Sequence, residues 1–165
     1  MNNEILRIGV AIAFVALMLV AAIIDILKRR IHNVTVLALI VVFIAALVAG
    51  MIVLPWWSIA AAGAIAFAVT FGLFAAGIFG GGDAKLFTVA ALFTGLAGLG
   101  AFAVLTALAG GALAVLYLVA NPKRALAGLT ARGRREAGNR GVPYGVAIAI
   151  GAVATLYFRG FFNVG

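Results

Sequence analysis

The sequence predicts an all-α polytopic membrane protein of about six transmembrane helices, forming a single domain over residues 1–165. Three observations predict it. The chain is 67% hydrophobic and only 10% charged, where a soluble domain carries about 25% charge. Its mean hydropathy is +1.28. Its charges fall in short clusters between long apolar runs, as they do in loops between membrane spans. The 21 glycines suit close helix contact in lipid, where small residues let backbones approach.

Each span follows from a charge-free run. Ile8 to Ile24 carries no charge, and with Ile5 and Leu6 before it and Ile26 and Leu27 after it makes a first span closed by Lys28, Arg29 and Arg30. Arg7 is the sole early basic residue and the run ends at Asp25 instead of a small-residue cleavage site, so a retained span is expected over a cleaved signal. Ile31 to Gly82 holds no charged residue with His32 neutral, and is long enough for two spans. Pro55-Trp56-Trp57-Ser58 divides it, since proline restricts a helix and tryptophan favours the membrane interface. The second span is then about Val34–Leu54 and the third about Ile59–Phe79.

The run Leu86–Pro122 is again uncharged, with Gly95, Gly98 and Gly100 offering a turn. The fourth span, about Ala84–Ala97, rises only about 21 Å against a hydrocarbon core of roughly 30 Å. The fifth is about Gly100–Ala120, and the last about Pro143–Phe158. Six spans place ten of the twelve basic residues (Lys28, Arg29, Arg30, Lys85, Lys123, Arg124, Arg132, Arg134, Arg135, Arg140) on one side. Only Arg7 and Arg159 fall on the other, which puts both termini away from the cytoplasm.

The net charge of +8 anchors loops in this reading. With neither a basic domain nor interleaved aromatics, nucleic acid is not an expected partner; membrane lipid is. No cysteine is present, which excludes disulfides, thiolate catalysis and Cys-based metal sites. The only histidine is His32 and the only serine Ser58, on opposite faces in this topology, so neither a Ser–His pair nor a His-Glu-x-x-His zinc site is available. No metal or cofactor is expected.

Four acids remain. Glu4 and Glu136 lie in the terminus and in a basic loop, where solvation explains them. Asp25 and Asp83 each end an apolar run and arrive at one depth on one side, where an ionisable group is solvated, paired or functional. Two readings stand together on the residues alone. In one, both aspartates mark the interface, Asp25 answering Lys28 or Arg29 and Asp83 capping the fourth helix. In the other they share a site. Gly80-Gly81-Gly82 before Asp83 allows a sharp bend and close approach, and Gly77 and Gly81 make a small pair at i, i+4. Two carboxylates in one site cannot both ionise cheaply, so the pair holds one proton. The ionised member can take a proton from a water attacking a peptide carbonyl; the protonated one can polarise that carbonyl and later protonate the leaving nitrogen.

Asp25 followed by Arg29-Arg30-Ile31-His32-Asn33, then Gly80-Gly81-Gly82-Asp83-Ala84-Lys85-Leu86, then Val142-Pro143-Tyr144-Gly145 occur in that order. The chain resembles the type IV prepilin peptidases, membrane aspartyl proteases with a Gly-x-Gly-Asp motif, and looks most like their short form serving Flp/Tad-type pili. The resemblance implies an aspartic endopeptidase bundle in a bacterial or archaeal cytoplasmic membrane, cleaving leaders from prepilins and pilin-like proteins at the cytoplasmic face. It implies Asp25 and Asp83 as the catalytic dyad, Gly80, Gly81, Gly82, Lys85 and Asn33 as supporting motif residues, and the pilus assembly machinery as a further partner. His32 stands where the family usually has proline. Larger members have a cysteine-containing region and methylate the new N-terminus; neither feature is expected here.

Lys85 reads either as an interface lysine that snorkels or as a charge acting on the dyad or substrate. Asn33 reads as a cap or as an orienting group, and His32 as an interface residue in preference to a proton carrier. Two other functions compete: a proton-coupled transporter using both aspartates, and a noncatalytic assembly subunit of a pilus or secretion machine.

Overall fold

The structure is a computed structural model, and it describes residues 2–120 and 143–162. Five helices make it: α1 (Asn2–Lys28), α2 (Asn33–Val48), α3 (Trp56–Ala75), α4 (Gly81–Ala120) and α5 (Tyr144–Phe158). All-α architecture is thus present, but the expectation of six spans is not. Among the described residues three helices, α1, α3 and α4, are long and apolar enough to cross a membrane. At 16 and 15 residues, α2 and α5 rise only about 24 and 22 Å. The segments read as fourth and fifth spans are two parts of one element, α4. The basic run 123–140, with Glu136, and Val142 of the third motif lie outside the described residues.

Charge-free runs overstated helix length because helix ends follow local capping, not hydropathy. The second run is apolar to Leu54, yet α2 stops at Val48. There Gly50 takes a left-handed φ of 66°, and Met51 N–H donates to the Ala46 carbonyl at 3.0 Å, closing the helix end. Gly77 closes α3 in the same way, with Ile78 N–H on the Leu73 carbonyl. Gly77 therefore stands beyond the helix with open space around it, while Gly81 meets only the Phe74 ring. The two do not form a packing pair.

Gly95 is the hinge of the molecule. Its φ of 59° and ψ of −178° interrupt α4, and the chain doubles back on itself. The Phe87 and Phe102 rings stack with centroids 4.3 Å apart, although fifteen residues of straight helix would separate them by about 22 Å. The reversal is made by this one residue; Gly98 and Gly100, also expected in the turn, are helical.

The folded α4 sits at the centre, packed against α3 and α5. Small residues permit this. A Cβ on Gly151 of α5 would come within 2.8 Å of the Thr106 backbone nitrogen, and one on Gly110 would touch Ala147. The core is filled by Phe14 and Met18 of α1, Leu39 of α2, Leu86 and Phe102 of α4, and Ile148 of α5. Phe93 links three helices, its ring 4.7 Å from Phe14 and 5.2 Å from Phe43. Large apolar side chains such as Ile12, Leu37, Phe67, Leu108 and Ile150 face outward, as lipid contact requires.

Two sets of polar contacts mark the ends of the bundle. At one end Arg7 donates to the Ala49 and Gly50 carbonyls at 3.3 and 3.2 Å, satisfying carbonyls left open where α2 ends. Trp56, Ser58, Gly95 and Arg159 lie at that end too. The other end collects the end of α1 and the starts of α2, α4 and α5.

Candidate active site

Asp25 lies one turn before the end of α1 and is only 5% exposed. Its carboxylate Oδ2 accepts the Gly145 N–H at 2.7 Å. Gly145 is the second residue of α5, so this amide belongs to the first turn, whose N–H groups have no partner inside the helix. An anion seated there satisfies the donor and lies at the positive end of the helix dipole. The approach needs glycine: a Cβ at position 145 would stand 2.9–3.1 Å from Asp25 Oδ2, Cβ and Cγ. Arg29 adds a positive charge that acts on Asp25. Arg29 itself holds a left-handed φ of 53° just past the helix end, a conformation that costs a non-glycine residue about 1–2 kcal/mol.

Asp83 is the third residue of α4, so Gly80, not Asp83, occupies the N-cap position. The Asp83 side chain reaches back to the Gly80 amide, the return half of a capping box. Its other oxygen, Oδ1, is buried and has no hydrogen-bond partner. Asp25 is near enough to act on Asp83 electrostatically. The structure thus brings the two aspartates together at one end of the bundle.

The motif glycines now have separate explanations. A Cβ on Gly80 would lie 2.6 Å from Asp83 Oδ2, and one on Gly82 would lie 2.9–3.3 Å from the Cβ, O and N of Ile31, in the loop joining α1 to α2. Glycine at 80 therefore leaves room for the Asp83 carboxylate, and glycine at 82 lets the start of α4 rest on the loop that follows Asp25. Gly81, between them, faces only a side-chain ring.

Lys85 and Asn33 meet as well. Lys85 Nζ donates to Asn33 Oδ1 at 3.0 Å, tying the first turn of α4 to the first turn of α2. Asn33 does not cap α2; His32 holds the N-cap position, with no side-chain capping bond. Glu4 is exposed at the start of α1, far from these groups. Among the described residues no three His, Cys, Asp or Glu side chains gather as a metal site.

A family model described as the type IV leader peptidase family matches residues 12–115. The chain belongs to that family. It is accordingly an aspartic-type endopeptidase of the membrane that cleaves prepilin-type leader peptides. No curated protein and no solved structure gave a match. The matched stretch holds both aspartates, Asn33 and the glycine motif of this leader peptidase, and ends before Gly145.

Two residues escaped sequence reasoning. Gly145 was visible only as part of a characteristic stretch, because nothing in its neighbourhood announces a partner 120 residues away. Ser58 enters the sequence reading only as part of the break before the third span and as the lone serine that rules out a Ser–His pair. Its Oγ instead accepts the Leu96 N–H at 3.0 Å, taking up a donor freed where Gly95 breaks α4. The available signal was the coincidence of a lone serine after a proline with a lone break in an apolar run.

Proposed function

We propose that Asp25 and Asp83 are the catalytic dyad with which this leader peptidase cuts its substrate, and that they work at the cytoplasmic face. One observation carries the reading: two carboxylates far apart in sequence come close enough to act on each other electrostatically at one end of an otherwise apolar bundle, one held by a backbone amide and the other with a buried, unpartnered oxygen. Such a pair can share a proton and provide a base and an acid for peptide hydrolysis. The end position disfavours a transporter, whose acids belong nearer the middle of the membrane. Lys28, Arg29, Arg30 and Lys85 share the end that holds the dyad, while Arg7 and Arg159 lie at the other, which supports a cytoplasmic site. A cysteine-free chain accords with the short form, so the proposed substrates are Flp-type prepilins handed on to a pilus assembly machine.

The test is co-expression with a prepilin, followed by mass spectrometry of the product N-terminus. The wild-type protein removes the leader; Asp25→Asn and Asp83→Asn remain inserted and folded but lose at least about 10²-fold in rate, as loss of an essential acid or base requires. An Asn variant retaining a tenth of the normal rate would sink the dyad. Ion flux into liposomes without proteolysis would favour the transporter.

A further inference from the structure

We infer that the two aspartates hold different jobs, Asp25 as base and Asp83 as acid, and that Gly145 is the positioning residue that separates them. The inference rests on the dyad reading above. It starts from an asymmetry in hydrogen bonding. Asp25 receives the Gly145 N–H at 2.7 Å at the opening turn of α5 and faces the positive charge of Arg29 on its own chain segment. Donors and cations of this kind select the ionised form of a carboxyl group. The titratable group from α4 that Asp25 acts on is Asp83.

Asp83 differs at its second oxygen. Its Oδ2 side lies against Gly80, whose amide it accepts. Its Oδ1 is buried with no donor to receive. A buried acceptor without a donor is unfavourable. A buried carboxylic acid hydroxyl is not in that position, because it donates. Asp25, close enough to act on Asp83 electrostatically, is the acceptor this assignment gives it, and a proton on Asp83 Oδ1 answers the buried carboxylate oxygen that has no partner among the described residues.

The chemical step follows. The water oxygen bonds to the peptide carbonyl carbon as its proton passes to Asp25, while the Asp83 hydroxyl hydrogen-bonds the oxygen that gains the electron pair. That pair then returns to form the carbonyl, the carbon–nitrogen bond breaks, and the Asp83 proton goes to the leaving nitrogen. Transfer of the proton from Asp25 to Asp83 restores the starting state. Gly145 touches no substrate; it acts through Asp25, holding Oδ2 so that the carboxylate keeps one orientation.

Two measurements test this on the full-length enzyme in detergent. The first uses a small terminal epoxide, 1,2-epoxy-3-phenoxypropane, with peptide mapping. An ionised carboxylate opens the ring to form an ester, the ring oxygen taking the neighbouring acid proton. The expected ester is on Asp25. Ester on Asp83, equal ester on both, or none on either overturns the assignment. The second compares Gly145→Ala with a semisynthetic protein carrying glycolate in place of Gly145, which removes the N–H and adds no bulk. Both should lower kcat about tenfold or more with KM within about twofold, as expected for a misaligned reacting group, and both should slow esterification of Asp25. An unchanged kcat in the glycolate protein, or a rise in KM alone, overturns the positioning role. Cleavage by Asp25→Asn or Asp83→Asn is a separate failure, that of the dyad.

Discussion

Replacing Gly82 by alanine should cripple the enzyme, while the same change at Gly81 should not. The Gly82 Cβ would fall 2.9 Å from Ile31 Cβ, 3.2 Å from its carbonyl oxygen and 3.3 Å from its nitrogen. Carbon–carbon contacts settle at roughly 3.5–4.0 Å, so the two segments must part by about 0.6–1 Å at the closest pair. Two of the three obstacles are backbone atoms, and no rotamer change relieves them. The expected stability loss is about 1–3 kcal/mol, the usual range for overpacking. The kinetic loss is larger in consequence. Gly82 adjoins Asp83, and Ile31 stands in the loop after Asp25, so the separation is transmitted to the dyad. A displacement near 1 Å costs about 10²-fold in rate. At Gly81 the nearest atom is Phe74 Cε2 at 3.3 Å, on an exposed ring that is free to turn. Alanine there should leave the rate within about twofold and raise stability by up to about 1 kcal/mol, since glycine is the poorer helix former. Initial cleavage rates at matched amounts of folded protein, with thermal melting in detergent, give both numbers. Equal damage from the two alanines, or full activity in Gly82→Ala, would refute the argument from backbone contact.

Other outcomes follow from contacts at each end of the bundle. Ser58→Ala strips the Leu96 amide of its acceptor and should cost about 1–3 kcal/mol in stability, measured by melting, with the rate per folded molecule unchanged because Ser58 is remote from the dyad. Lys85→Met and Asn33→Ala should lower cleavage non-additively, with a coupling of at least about 0.5 kcal/mol in a double-mutant cycle; strictly additive effects would deny that the 3.0 Å bond matters. Because the chain has no cysteine, single cysteines report sidedness directly. Arg30→Cys should react with a membrane-impermeant maleimide only in inverted vesicles and Trp56→Cys only in intact spheroplasts, and the reverse pattern would overturn the proposed orientation.

Much of the candidate site was legible because charge is scarce. In an apolar chain Asp25 and Asp83 announce themselves, and the glycines before Asp83 signal close approach. The structure then divides that signal, giving necessity to Gly80 and Gly82 and tolerance to Gly81. The number of spans was not legible. Hydropathy records where a helix is permitted, but Gly50 and Gly77 end helices through left-handed backbone geometry inside apolar sequence; the turn that the glycines at 95, 98 and 100 offered is made at Gly95, inside one element. Lys85 and Asn33 were both noticed, yet their bond was not, since pairing across 52 residues depends on how α2 and α4 are set side by side. Gly145 failed to stand out for the same reason: its contribution is a backbone amide, which every residue but proline possesses.

The bond from Gly145 to Asp25 spans 120 positions, and that distance is also an interval of time. Ribosomes add about 5–20 residues per second, so Gly145 emerges roughly 3–12 s after Asp83. Throughout that interval both carboxylates exist in a chain that still lacks the amide that steadies Asp25. On the positioning role proposed for Gly145, a protease that acquires this contact only with α5 is idle until α5 has been made, and neighbouring nascent chains in the same membrane are spared until then.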